Sequence, residues 1–275
     1  MSARDEFQNQ THREGTVAGS GTLMAAALAA LVFLVAVSGI LLTRETGRIA
    51  TLWPANAVML SFILRSEPGR WRLLAAAGLC GNLLANLSVG DDWLVGALLS
   101  LCNLGEVVAA VWAIRWRLGG RPVDPTSPRL LVAFSIFAVL LAPALSAVLA
   151  CGIMATLAGT DPVAVWSQWF LADALGMLTV APPLLALNMA EFDRLRAHGR
   201  LTEAAIVLAV AALATIGVFG QSRYPLLFLI LPALLLPVFR LGLFGAAVAT
   251  LTTSLIAIVM TARGSGPLSL IDGAA

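Results

Sequence analysis

Apolar runs of about 20 residues, each long enough to cross a ~30 Å hydrocarbon layer as a helix, recur along the whole of this chain. The runs are continuous rather than alternating, which excludes the strands of a transmembrane β-barrel. No fixed period relates one run to the next, which excludes a solenoid. Composition agrees. Of the 275 residues 59% are hydrophobic and only 12% are charged, about half the charged share of a soluble domain. The sequence predicts an all-α fold, a polytopic transmembrane helical bundle.

About nine spans are expected (8–10), at 22–42, 50–64, 72–89, 93–114, 130–157, 163–187, 202–220, 224–239 and 242–262. The first starts too late and is too long for a cleaved signal peptide, and reads as a retained anchor. Pro54 suits the first turn of the second span, where its missing N–H costs nothing. Pro232 and Pro237 lie inside the eighth, which should be kinked or re-entrant. Residues 1–21 read as a cytoplasmic tail and 22–262 as the transmembrane domain. Residues 263–275 read as a loop or linker to a further helix and an output domain. Parity supports that reading, because nine crossings from a cytoplasmic N-terminus strand the tail outside.

Every one of the 17 basic residues is arginine. With the N-terminus in the cytoplasm, 13 of them, from Arg4 to Arg240, fall on the cytoplasmic side. Arg44, Arg48, Arg223 and Arg263 fall on the other. That bias sets the expected orientation in the membrane. A net charge of +2 without a basic block gives no footprint for nucleic acid.

Cys80, Cys102 and Cys151 all lie in apolar runs and are expected to be small buried hydrophobes rather than disulfide partners. His12 and His198 fall in predicted cytoplasmic segments, which removes a haem held between two transmembrane histidines. No zinc-protease, nucleophile-elbow, Walker or Cys-rich metal pattern occurs in the sequence. No cofactor, metal or catalytic role is expected of this chain.

The loops are too short for a water-soluble domain, so recognition must happen among the helices or at their mouths. The informative residues are the polar ones inside the spans: Asn56, Asn82, Asn86, Asn103, Glu106 and Asp173. Asp173 lies about 15 Å into its span, near the midplane, and Asn103 reaches a similar level from its own. Glu106 shares the face of Asn103 one turn on, and Asn82 and Asn86 share a face at i, i+4. The faces can converge on one polar centre. An acid at that depth costs ~3 kcal/mol on insertion scales and faces the protein interior. With nothing basic nearby, it must be protonated, hydrated, hydrogen-bonded to the asparagines, or paired with a bound cation or ligand amine. Asp173, Glu106, Asn103, Asn82 and Asn86 are therefore the candidate ligand-binding or sensing residues. Interhelical hydrogen-bond glue is the alternative for each, and Gly78, Gly81, Gly105 and Gly176 suit close packing around them. Trp53, Trp93, Trp166 and Trp169 cluster near the predicted outer interface as an aromatic belt. Trp169, one turn from Asp173, is also the candidate pocket wall.

Five stretches, in this order and spacing, resemble the first family of bacterial membrane-associated sensor (MASE) domains. They are "LWPANAVMLSFIL" (52–64), "GNLLANL" (81–87), "NLGEVVAAVW" (103–112), "WFLADALGMLTVAPPLL" (169–185), and "YPLLFLILPALLLPVFRLGLFGAAVATLTTSLIAI" (224–258) with "TARGSGP" (261–267). The resemblance implies a multi-pass input module of the bacterial inner membrane. Such modules are usually fused to a cytoplasmic histidine kinase, diguanylate cyclase or PAS domain. Glycine is frequent in that family where this chain has Asn56, which lowers the weight of Asn56 as a ligand contact.

The expected function is thus a sensory input domain that detects a small-molecule ligand or a membrane protein partner and regulates a cytoplasmic output domain. A homodimer is expected by analogy with such outputs. A secondary transporter or proton-coupled carrier is the alternative that midplane acids and proline-broken spans raise. A membrane scaffold that recruits a partner protein is the other.

Overall fold

A computed structural model describes residues 3–43, 52–187 and 189–267. Expectations that concern Arg44, Arg48, the start of the second span, and the tail beyond residue 267 lie outside the described residues. Every regular element among the described residues is helical. They are α1 (Ala3–Thr43), α2 (Pro54–Arg65), α3 (Trp71–Ser88), α4 (Trp93–Leu118), α5 (Pro128–Ala158), α6 (Pro162–Ala186), α7 (Met189–Ala197), α8 (Leu201–Phe219) and α9 (Ile230–Ala262). Short 3₁₀ turns precede α3 and α9. The chain divides into two compact units, 1–177 and 178–275.

Six stretches among the described residues are long and apolar enough to cross a membrane: Gly21–Leu41, Trp93–Leu118, Pro128–Ala158, Pro162–Ala186, Leu201–Phe219 and Leu226–Thr261. This is fewer than the nine expected, for three physical reasons. α2 has only 12 residues, about 18 Å of helix. Its residues from Ala55 to Ser61 are all buried, with Ile63 and Leu64, so protein rather than lipid surrounds it. α3 carries Arg72, Asn82 and Asn86 in 18 residues, which dilutes its hydropathy. The expected spans 224–239 and 242–262 form one helical run broken at Gly242, whose φ of 65° a side-chain-bearing residue rarely adopts.

In the first unit, α1 packs against α3 and α2. Ala25, Leu28, Val32, Ala36 and Ile40 form its buried stripe at spacings of three and four. The helices approach closely at Gly81, where a Cβ would overlap the Ala29 carbonyl. At Gly176 of α6 a Cβ would likewise overlap the Trp53 carbonyl. There the Trp53 amide donates to the Ala172 carbonyl at 3.1 Å and fixes the entry to α2. At its other end α2 is held by Arg115, whose Nη2 donates to the Leu64 carbonyl at 2.5 Å and whose guanidinium covers the Trp71 ring.

α4 starts on the Asp92 carboxylate, which accepts from the Leu94 and Val95 amides, and ends at Gly119 in a left-handed conformation. In the loop that follows, Asp124 accepts from the Thr126 hydroxyl and amide, and these bonds hold its carboxyl below the ordinary aspartate range. Within α5, Phe134–Leu141 is wound as a π-helix. Pro143 lacks the amide that an α-helix would return to the Val139 carbonyl, and the Ala142 amide reaches back five residues to Phe137.

In the second unit, α8 and α9 pack together. Leu195, Ala204, Val207 and Leu241 form its core. The Thr215 and Thr253 hydroxyls meet at 3.2 Å between the two helices. Glu203 bridges Arg200 (2.8 Å) and Arg240 (2.5 Å). After the break at Gly242, Glu191 Oε2 accepts from the Phe244 amide at 3.0 Å and caps the second arm of α9.

Two expectations about small residues are corrected. Gly105 takes no part in close packing, since a Cβ there would meet nothing within 4 Å. Of the three cysteines only Cys102 is buried; Cys80 is exposed and Cys151 half-buried, and all are free thiols.

The contrast between Gly176 and Gly105 is testable. Gly176→Ala should lower the apparent thermal midpoint of the detergent-solubilised chain. Gly105→Ala should hold or raise it, because alanine is favoured over glycine in a helix interior by about 1 kcal/mol. Nanoscale fluorimetry on the two variants checks this, and equal midpoints would defeat the packing argument.

Candidate functional site: a buried acid pair in a polar core

α4 carries Ser100, Asn103 and Glu106 three residues apart, so they form one stripe down its inward face. All three are buried. Exposed tryptophans mark the two ends of the helix, Trp93 at one and Trp112 and Trp116 at the other. They lie about 29–35 Å apart along the axis, the separation of the two interfaces of a bilayer. Asn103 and Glu106 therefore sit near mid-membrane.

Four other helices bring polar groups to this stripe. Asn56, in the first turn of α2, is fully buried. Its Nδ2 donates to Asn103 Oδ1 at 3.0 Å and to Glu106 Oε1 at 3.2 Å. From α3, Asn86 Nδ2 donates to Asn82 Oδ1 at 3.3 Å and to Ser100 Oγ at 3.2 Å. From α6, Asp173 faces the Glu106 carboxyl and the Trp169 indole. From α5, Ser146 accepts from Trp169 Nε1 at 3.1 Å. Its single proton lies between the Cys102 carbonyl at 3.5 Å and the Glu106 carboxyl.

The two carboxyl groups define the chemistry. Glu106 is 3% exposed and Asp173 2%, and Glu106 Oε2 and Asp173 Oδ2 have no donor from the protein. Two carboxylates in contact in a low-dielectric interior repel, and neither supplies a donor to the other. A proton held between them would turn the repulsion into a hydrogen bond. Glu106 Oε2 and Asp173 Oδ2 are thus the oxygens left for such a proton, and Asn56 Oδ1 and Asn82 Nδ2 remain a buried acceptor and a buried donor without a protein partner.

All six expected site residues are buried. Asp173, Glu106 and Trp169 come together, and Asn103 joins Glu106 through Asn56. Asn82 and Asn86 join one turn away through Ser100, as a second cluster on the same stripe. Asn56, given little weight from the sequence, is the hub between Asn103 and Glu106. Ser100 was missed, although its place one turn before Asn103 on the same helix face is a signal the sequence offers. Ser146 had no such signal, since nothing in the sequence fixes the rotation of α5 against α4. Trp53 leaves the expected aromatic belt, because it is buried with its carbonyl against Gly176. Cys102, Ala147, Ala150 and Trp169 form an apolar wall beside the acids, and the two alanines let α5 lie close to α4.

Long apolar helices around a buried acidic core define an integral membrane protein with a polar centre inside its first unit. The profile of the MASE1 family, the first family of membrane-associated sensor domains, matches residues 23–274. The chain belongs to that family, a family of membrane sensory input domains. No curated protein matches the chain, and no solved structure does.

A proton shared by Glu106 and Asp173 should give a carboxylic-acid C=O band in the infrared spectrum of the reconstituted chain at neutral pH. The band should vanish in the Asp173→Asn/Glu106→Gln double variant. A wild-type spectrum without any protonated carboxyl would show that the acids are separately ionised.

Proposed function

We propose that this chain is the input half of a bacterial inner-membrane signalling protein, with its N-terminus in the cytoplasm. It would detect a ligand or a membrane partner at the Glu106–Asp173 pair and regulate a cytoplasmic histidine kinase or diguanylate cyclase. Asn103, Asn82, Asn86 and Trp169 would frame the pair, with Asn56 and Ser146 as its immediate partners. The observation that carries this reading is the pair itself. Two acids in mid-membrane contact, with unsatisfied acceptors beside them, give a core whose hydrogen bonding changes when a proton, cation or ligand arrives. A stimulus that favours one arrangement shifts the helices around it between two packings.

In this reading residues 1–21 form a cytoplasmic tail, 22–262 the sensor, and 263–275 the link to a further helix and the output. The chain crosses about nine times, with α2 and α3 passing inside the bundle and the two arms of α9 crossing separately. The split of arginines between the two sides supports the orientation. A homodimer, in keeping with dimeric outputs, fits the same scheme.

Two measurements test it. Reporter fusions after Arg121 and after Arg200 should both report cytoplasm, and a periplasmic signal at either would overturn the orientation. Asp173→Asn in the protein joined to its output should abolish or lock the stimulus response at normal expression. An unchanged response would remove the acid pair from the mechanism. Robust substrate uptake by proteoliposomes of the chain would instead favour a carrier.

A further inference from the structure

Between α4 and α5 a crevice of about 450 Å³ opens on the surface of the first unit, within the ~300–1,000 Å³ range of small-molecule sites. Its walls are Leu101, Leu145 and Leu149, each more than half exposed. These residues lie in membrane-crossing helices, so the open side of the crevice faces hydrocarbon. Its depth comes from small residues, Gly105 above all, where there is no Cβ and nothing within 4 Å of where one would be. At its floor are Glu106 and Ser146, the only polar side chains lining it. Glu106 is 97% buried and keeps Oε2 without a partner.

A groove filled only by acyl tails has no use for a carboxyl group at its base. Glu106 Oε2 has no donor from the protein, and the crevice is the lipid-side opening that Glu106 lines. The occupant must therefore have an apolar body for the leucine walls and a cationic donor for the floor. We propose that this crevice binds a lipophilic amine from the bilayer, with its ammonium on Glu106 and its aliphatic chain along Leu101, Leu145 and Leu149.

An ammonium offers three N–H donors and no acceptor. Glu106 Oε2, the unsatisfied polar atom on a residue that lines the crevice, is an acceptor. The positive charge of the ammonium also suits a carboxylate at the floor. An alcohol brings one donor and no charge, and a fatty acid brings a third carboxyl. Both are worse matches. The inference deepens the sensory reading by naming the ligand class of the same site. Its test reads binding alone, so it can fail while the acid pair still governs output, or succeed while it does not.

The test uses the chain in phosphatidylcholine nanodiscs and two photoreactive probes, a diazirine-bearing hexadecylamine and the matching hexadecanol. The amine should label the peptides of 98–109 and 142–153 about tenfold more than the alcohol, equivalent to about 1.4 kcal/mol of preference. Leu145→Trp or Gly105→Leu, which fill the crevice from its open side, should each abolish labelling there. Glu106→Gln should erase the preference of amine over alcohol while leaving alcohol labelling unchanged. Equal labelling by the two probes in the wild type would show a groove for lipid tails only and overturn the proposal. So would amine labelling that survives both crevice-filling variants, or that falls elsewhere on the chain.

Discussion

A bilayer interior contains no water to solvate a carboxyl group, and much of the first unit answers that constraint. Glu106 and Asp173 are tolerable at mid-membrane because five helices bury them and bring polar groups to them. α2 supplies the Asn56 amide, α3 extends the polar stripe through Ser100, α5 supplies the Ser146 hydroxyl and α6 the Trp169 indole. α4, which carries the stripe itself, closes the set. Single hydrogen bonds between membrane helices are worth only about 0.6 kcal/mol on average. The network is therefore a weak clamp but a strict specification. Rotating any one of these helices would turn a polar group toward lipid, at a cost several times larger.

α2 shows how far the bundle goes to meet that demand. At 12 residues it is too short to span hydrocarbon alone, yet it places Asn56 at the centre of the network. Its position is fixed from both ends by backbone contacts. The Trp53 amide bonds to Ala172 of α6 at the start, and Arg115 of α4 bonds to the Leu64 carbonyl at the finish. The absence of a side chain at Gly176 is what lets the chain enter so close to α6. These contacts tie the helix bearing Asn56 to the helices bearing Glu106 and Asp173, so the hub cannot move independently of the acids it joins.

The sequence made the membrane class and the polar inventory legible because both are compositional. Twenty-residue apolar runs and a lone Asp173 within one of them need no tertiary information to be noticed. Periodicity also placed Asn103 with Glu106, and Asn82 with Asn86, since each pair shares a helix. What stayed hidden depends on how separate helices are turned against each other. Ser146 is one of several small polar residues in α5, and only the packing of Ala147 and Ala150 against the α4 side of the core marks it out. The span count has a related limit of its own. Hydropathy along the chain cannot separate a helix buried in protein, such as α2, from one buried in lipid, nor a helical run that breaks at Gly242 from two helices.

The winding of α5 gives the network a mechanical setting. The π segment Phe134–Leu141 ends just before Pro143, and Ser146 follows three residues later. Pro143 has no amide to return to Val139 under any winding, so the backbone ladder here is one bond short of that in a regular helix. Side-chain contacts beyond the interruption then carry more of the work of fixing α5's rotation. The ones available are the Ser146 hydroxyl, shared among Trp169, Cys102 and Glu106, and the alanine contacts with the indole wall. Protonation or ligation of the acid pair alters what Ser146 can donate to. Such a change acts on α5 at the place where its own backbone resists least.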